Sequence, residues 1–408
     1  MSSLNSPHRV NPAGSGPAYS LFWVIVALAL GGFGIGTTEF VAMGLIQEIA
    51  QGVGVSVPVA GYMISAYALG VVVGAPVIAI LCARVPRKGL LLALMLFFTV
   101  GNAATAFAPD FHSLVISRFI AGLPHGAYFG VAALVAATLA GPARRAQAVA
   151  HVMLGLTIAT VIGVPFATWL GQHLGWRSGF IFAAGIGAVT MLAIALVLPK
   201  IAMAASASIQ TELAGLKNRQ MWLTLGIAAI GFGGLFSVYT FVSPLLTHYT
   251  QVSIRYVPLA LAVWGLGMVS GGLVGGWLAD RGMKKALYSI VFSMIAAFSI
   301  APFLMQNFYT ALVALFLMGA TGMALGPALQ TRLMDVAGQA QTLAASLNHS
   351  AFNIANAQGA WLGSLVISAG YGWIAPIWVG VGLSIGGLVM LMISLKLDQQ
   401  PLDKQPAH

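Results

Sequence analysis

The chain has 408 residues, of which 59% are apolar and only 6% are Asp, Glu, Lys or Arg, with a net charge of +10. Soluble domains carry about 25% charged residues, so a chain this poor in charge cannot dress a water-facing surface of its size, which argues against a soluble enzyme. Continuous apolar runs of about 20 residues, rather than alternating segments of about 10, argue against a β-barrel and for helices solvated by lipid, where every backbone N–H and C=O must be paired internally.

Residues 1–20 are a polar tail rich in Gly, Pro, Ser and Asn. The first apolar run, 21–46, is too long and lacks the basic start of a signal peptide, so it is read as a span that stays. Further runs at 59–82, 90–109, 113–140, 148–170 and 178–199 complete a first set of six. A polar stretch with Lys200, Glu212, Lys217 and Arg219 follows, and then runs at 220–246, 257–279, 286–305, 309–330, 342–369 and 374–395. The expected fold is an all-α membrane protein of 12 transmembrane helices, divided into a tail (1–20), a six-helix bundle (21–199), a linker (200–219), a second six-helix bundle (220–395) and a tail (396–408).

Charge sets the expected orientation. With residue 1 in the cytoplasm, Arg177 and Arg255 are the basic residues of the external loops, Arg118 lies within a span, and the rest of the 18 lysines and arginines fall inside. That bias places both termini in the cytoplasm, so the +10 charge is a topology signal before it is a ligand signal. Nucleic-acid binding is not indicated. The single cysteine, Cys82, allows no intrachain disulfide. No metal-ligand spacing and no Gly-rich nucleotide loop is present, so no cofactor is expected, and uphill transport would draw on an ion gradient.

The two halves echo each other at an offset of 197 residues. Arg84, Arg87 and Lys88 fall on Arg281, Lys284 and Lys285; Leu81 falls on Leu278, Gly122 on Gly319, Gly34 and Gly36 on Gly231 and Gly233, and Gly175-Trp176 on Gly372-Trp373. Each half is therefore expected to be one copy of a six-helix unit. An even number of spans per copy puts both the same way up, with a pseudo-two-fold axis along the membrane normal and a central cavity between the copies.

The segments Ala79-Ile-Leu-Cys-Ala-Arg-Val-Pro-Arg-Lys88 and Gly276-Trp-Leu-Ala-Asp-Arg-Gly-Met-Lys-Lys285 resemble the loop signature of the major facilitator superfamily. Arg118-Phe-Ile-Ala-Gly-Leu-Pro-His-Gly126 resembles the signature of its fourth helix, and Gly155 through Gly163-Val-Pro165 to Gly171 that of the fifth helix of its proton-driven exporters. Gly36-Thr-Thr-Glu-Phe40 adds likeness to the 12-helix drug:proton antiporter branch, nearest the bacterial arabinose and sugar, purine-ribonucleoside and chloramphenicol efflux permeases. The likeness covers about residues 20–395. It implies a bacterial inner-membrane secondary transporter, working as a monomer by alternating access on a small organic solute and protons. The first loop departs from the signature at Ala79, Ala83 and Pro86, where the family has Gly, Asp and Gly. In the family the loop Asp steadies the outward-closed state, so here that role passes to Asp280.

The candidate residues follow from the cost of polarity in hydrocarbon. Glu39 is the one acid well inside an apolar run, so it should face the interior and take up a proton readily, with snorkelling or capping near the outer interface as the other reading. Arg118 is the one cation within a span, and the resemblance implies a place in proton coupling, with a structural lock between helices as the other reading. His125, seven positions on, shares its face and could relay protons or pack as a core histidine. Asn348, Asn353 and Asn356, with Gln358, form an amide cluster suited to hydrogen-bonding a substrate or gluing helices. Tyr62, Tyr67, Tyr128, Phe232, Phe236 and Tyr239 are candidates to line an apolar cavity. Arg84, Arg87, Lys88, Arg281, Lys284 and Lys285 enforce topology and can gate the inner side by pairing with acids such as Asp280 or Asp335, or with helix C-terminal carbonyls. Pro165 should kink the fifth helix. Export with proton antiport is the leading reading. A proton-coupled importer, an uncoupled facilitator and a non-transporting receptor or scaffold are the alternatives.

Overall fold

The computed structural model describes residues 20–82, 85–141, 144–199, 217–337 and 341–398, and these form an all-helical bundle. The long helices are α1 (Leu21–Gly44), α2 (Tyr62–Leu81), α3 (Arg87–Ala106), α4 (Phe111–Ala140), α5 (Arg145–Ile158, a π-helical turn Ala159–Gly163, then Val164–Leu174) and α6 (Arg177–Val197). After them come α7 (Arg219–Gly231, then Gly233–Tyr239), α8 (Val257–Arg281), α9 (Met283–Leu304), α10 (Phe308–Ala337), α11 (Gln341–Ser368) and α12 (Ala375–Asp398). Short helices Ile46–Gly52 and Val57–Ala60 bridge α1 and α2, and Val242–Pro244 with a π-turn Leu245–Tyr249 extends α7.

Eleven of the described helices are long and apolar enough to cross a membrane, whereas α11 does not meet that standard. The expected run at 342–369 does form a helix, α11, but this 28-residue helix carries Asn348, His349, Asn353, Asn356 and Gln358, which lower its hydropathy. Its side chains are solvated by other helices, so it has no need of a uniformly apolar surface.

Local chemistry sets the ends. Asp110 caps α4: its Oδ1 accepts from the Ser113 backbone N–H at 2.9 Å while Ser113 Oγ reaches back to the Asp110 N–H. That bond holds the exposed Asp110 carboxyl below the usual carboxylate range. Asn218 Oδ1 caps α7 through the N–H groups of Gln220 and Met221. The break foreseen at Pro165 takes the form of the π-turn Ala159–Gly163 just before it, which absorbs the hydrogen bond that proline cannot donate.

Packing repeats with the sequence offset. A Cβ on Gly70 would strike the Phe119 carbonyl, and one on Gly267 the Phe316 carbonyl. Gly74 abuts Leu123 as Gly271 abuts Ala320, and Gly122 abuts Tyr67 as Gly319 abuts Trp264. Each pair is shifted by the same 197 positions, so α2 against α4 and α8 against α10 share one register, with backbones in direct contact.

Helices α1–α6 pack on one another, as do α7–α12, and the two sets meet through α2 with α11 and α5 with α8. Both described termini leave from one end of the bundle; the opposite end is called the far end. Most of the hydrogen bonds and ring contacts that join the two sets among the described residues gather in the far half; the stack of Phe129 on His349 lies nearer the termini. Gln47 donates to Ser243 Oγ at 2.8 Å and Thr247 Oγ1 at 3.0 Å, Gln172 to the Ile254 carbonyl at 3.0 Å, and Ser65 to the Ala357 carbonyl at 3.0 Å. These bonds tie the two sets together at the far end.

Candidate functional site

Glu39 lies on α1 at the seam between the two sets and is 6% exposed. Its Oε1 accepts a hydrogen bond from Asn356 Nδ2 of α11 at 3.3 Å, joining residues 317 positions apart. One residue earlier, Thr38 donates to Asn102 Oδ1 of α3 and accepts from Arg118 of α4, whose two terminal nitrogens reach Thr38 Oγ1 at 3.1 Å and the Thr38 carbonyl at 3.2 Å. The guanidinium is fully buried and lies 4.2 Å from the centre of the Tyr67 ring and 5.2 Å from that of Phe180. Glu39 and Arg118 act on each other electrostatically without touching; the ion pair within 4.0 Å among the described residues is Arg332–Asp398. Arg118 is thus solvated by a hydroxyl, a carbonyl and two ring faces, and its charge is left uncompensated by contact.

From Arg118 the polar line continues. Tyr67 Oη and His125 Nδ1 are 3.1 Å apart, and the His125 ring packs on Phe129 at 5.4 Å. Phe129 stacks on His349 of α11 at 5.8 Å with ring planes 3° apart, which makes a second crossing of the seam. The predicted residues Glu39, Arg118, His125, Tyr67 and Asn356 therefore form one connected group. Asn353 donates to the His349 carbonyl at 3.0 Å, and the Oδ1 atoms of Asn353 and Asn356 are buried without partners. Asn348 is spent on Gln330 of α10.

Phe232, Phe236 and Tyr239 form an aromatic cluster that Phe40 of α1 joins, with centroids 6.4 Å from Phe236 and 5.4 Å from Tyr239. Tyr128 is engaged elsewhere: its hydroxyl donates to the Leu28 carbonyl at 2.8 Å over the bare face of Gly31, in the packing of α1 on α4. Tyr62 is half-buried at the start of α2.

At the terminal end, Arg84 lies outside the described residues and Arg87 is half-buried. Lys88 donates to the carbonyls of Ala195 and Leu198 at 2.8 and 2.5 Å, so it caps the C-terminus of α6 within its own set. Asp280, Arg281, Lys284 and Lys285 are exposed, and Arg281 lies 3.5 Å over the Trp277 ring. Neither Asp280 nor Asp335 is in an ion pair among the described residues, whereas Lys88 takes the other expected partner, helix C-terminal carbonyls. Arg332, expected in a cytoplasmic loop, is relocated. α10 runs on to Ala337, which leaves Arg332 5% exposed, bonded to Ser394 at 3.0 Å and paired with Asp398 at 3.6 Å. Arg118 is therefore not the sole buried cation.

Sequence reasoning passed over Thr38, Asn102 and Gln330. Asn102 carried the signal used for α11, a lone amide in an apolar run, whereas a threonine can satisfy itself on the preceding helical turn and so announces nothing.

Long apolar helices enclosing a buried polar line, in two sets joined through the far half, define a membrane transporter for a small solute. The chain belongs to the Major Facilitator Superfamily, whose profile matches residues 28–340 and 225–408. It is 41% identical over 378 residues to the inner membrane transport protein YdhP of Escherichia coli K12, covering 92% of this chain and 96% of that one. It is 31% identical over 355 residues to the chloramphenicol resistance protein of Streptomyces lividans, covering 86% and 91%. The fold is shared with a D-xylose-proton symporter (TM-score 0.71, 17% identity, 95% of this chain and 99% of that one). It is shared too with a bacterial homologue of the human lysosomal transporter Spinster in an inward-facing, occupied conformation (TM-score 0.70, 18% identity, 97% and 100%). The protein is a multi-pass membrane transporter, not an enzyme.

Proposed function

We propose that the protein is a proton-coupled exporter of a small organic solute in the bacterial inner membrane. It works as a monomer of two six-helix copies, residues 21–199 and 220–395, with both termini in the cytoplasm and the far end facing out. The observation that carries this reading is the hydrogen bond between Glu39 and Asn356, which ties a buried acid of one helix set to the other. An anionic Glu39 is costly in this seam, so release of its proton favours parting of the sets or arrival of a substrate that solvates the charge. Arg118, held by Thr38 and Tyr67, supplies the positive field that makes the release possible. Asn353, Asn356, His349 and the aromatic cluster at Phe232, Phe236 and Tyr239 offer hydrogen bonds and an apolar wall to the solute. Drug export is supported by likeness to the chloramphenicol resistance protein.

The test is substrate-induced proton movement in liposomes that hold a pH-sensitive dye, with sugars, nucleosides and amphiphilic drugs as the panel. A pH change for one compound, lost in Glu39→Gln while the variant still folds, supports coupling. Solute flux with no pH change makes the protein a facilitator instead, and an unaltered gradient in Glu39→Gln removes Glu39 from coupling.

A further inference from the structure

A second buried acid lies at the far end. Glu48 sits on the short helix Ile46–Gly52, which follows α1 after one residue, and both its carboxylate oxygens are buried without a hydrogen-bond partner. The neighbouring strip on α5 and the turn after it is equally unsatisfied: Thr168 Oγ1, Gln172 Oε1 and, at the N-cap of α6, Trp176 Nε1 are buried and unpartnered. Thr168 is fully buried and Trp176 is 4% exposed. Buried polar atoms are nearly always paired, so five orphans on one contact require a cause.

The two strips are in register. Gly44 faces Thr168 Oγ1 and Gly52 faces Trp176 Nε1 so closely that a Cβ on either glycine would collide. Glu48 lies one turn from each glycine, Gln172 lies one turn from Thr168 and ahead of Trp176 beyond the end of α5, and the carboxyl and carboxamide form the middle rung. Gln172 also reaches the other helix set: its Nε2 donates to the Ile254 carbonyl at 3.0 Å. The adjacent Gln47 bonds Ser243 and Thr247 of that same set.

We propose that Glu48 is a second proton-binding site, at the far-end gate: a protonated Glu48 donates to Gln172 Oε1 and fixes the carboxamide so that its NH2 clasps the Ile254 carbonyl. The proton comes from water at the far end, converting the carboxylate to a carboxylic acid as the gate closes, and returns there when the gate opens. Proton uptake provides the donor that the orphaned Gln172 Oε1 lacks and removes a charge from a dry contact.

Burial raises the Glu48 carboxyl above the usual carboxylate range, against a smaller lowering by its own backbone N–H and by Gln172. The sign follows by linkage. A proton is held more tightly in the closed gate than in an open, hydrated one, so closure strengthens as pH falls and is lost as pH rises through the closed-state value. Among the described residues, no other charged group is bonded to Glu48. Glu39 on α1 is bonded to Asn356, His173 on α5 contacts Trp169, and Arg177 on α6 donates to the Ala108 carbonyl. On the opposing set, His248 stacks on Trp373 and Arg255 bonds Tyr256.

The inference rests on alternating access and is tested on gate position rather than on transport. In a Cys82→Ser background, cysteines replace the exposed Gln51 and Ser253 on opposite sides of the far end, and spin-label distances are measured in nanodiscs across pH. The short-distance population should grow as pH falls. Glu48→Gln should hold it short at every pH, and loss of the proposed acceptor in Gln172→Leu should lower the pH of half-closure by about one unit, whereas a rise would show Gln172 serving the carboxylate form and overturn the proposal. An unchanged pH response in Glu48→Gln, or an unmoved midpoint in Gln172→Leu, overturns the proposal. A response abolished by Glu39→Gln but kept in Glu48→Gln overturns it too and assigns the gate proton to Glu39. Distances that never change in any variant reject alternating access itself.

Discussion

The α1–α2–α4 contact and its counterpart α7–α8–α10 keep one packing register but differ in charge. The glycine rungs recur at the same offset: Gly70, Gly74 and Gly122 against Gly267, Gly271 and Gly319. The polar line does not. At that offset Glu39 corresponds to Phe236, Arg118 to Leu315, His125 to Gly322, and Tyr67 to Trp264. Where Tyr67 lies under a guanidinium, Trp264 stacks on Tyr239 at 4.9 Å. The difference teaches that backbone approach is what the fold demands of both copies, whereas a charged polar line in the middle of the contact occurs in only one. The second copy contributes an amide, Asn356, to a site that the first copy charges.

The largest effect should come from filling the shared rungs. Gly74→Leu and Gly271→Leu each drive a side chain into a carbonyl of the facing helix, and each should destabilise its contact by about 3 kcal/mol. Melting temperature and folded yield in detergent check this, and a mutant pair in which only one member suffers breaks the shared register. Next, Arg118→Leu copies the residue that the second copy carries at Leu315. The chain should still fold, since no ion pair is broken, while proton-coupled flux is lost. Wild-type gradients in that variant would remove Arg118 from coupling.

Tyr67→Phe keeps the ring under Arg118 but deletes the hydroxyl facing His125, a bond worth about 1 kcal/mol, and should slow coupled flux several-fold without loss of folding. A rate equal to wild type shows that the line ends at Arg118. The smallest effect belongs to the exposed loop acid. Asp280→Asn should move the far-end distance distribution modestly, and more than any change at its counterpart Ala83, which carries no charge to lose. Equal shifts at the two positions deny Asp280 a special part in the conformational balance.

Much of the site was legible because polarity in hydrocarbon is rare and costly. Glu39, Arg118, His125 and the α11 amides stood out on that ground, and the structure brings Glu39, Arg118, His125 and Asn356 into one connected group. The same signal failed where its premise failed. Arg332 lies near a span end, where sequence alone allows a snorkelling side chain, and only the continuation of α10 and the arrival of Asp398 bury it. Tyr128 and Tyr67 looked alike along the chain. One is turned into Leu28 and the other beneath Arg118, a distinction set by which neighbour each helix face meets.

By itself, the sequence determined the positions of the spans, because a helix must cover about 30 Å of hydrocarbon and announces its ends with charge. It also determined the repeat, because equal packing needs equal small residues at equal spacing. The tertiary structure alone decided that Glu39 meets Asn356, that Gln172 reaches Ile254, and that most of the described contacts between the sets gather in the far half. Those pairings join residues on helices far apart in the chain. The rotation and depth of each helix set them, and a run of apolar residues leaves both free until the other helices are in place.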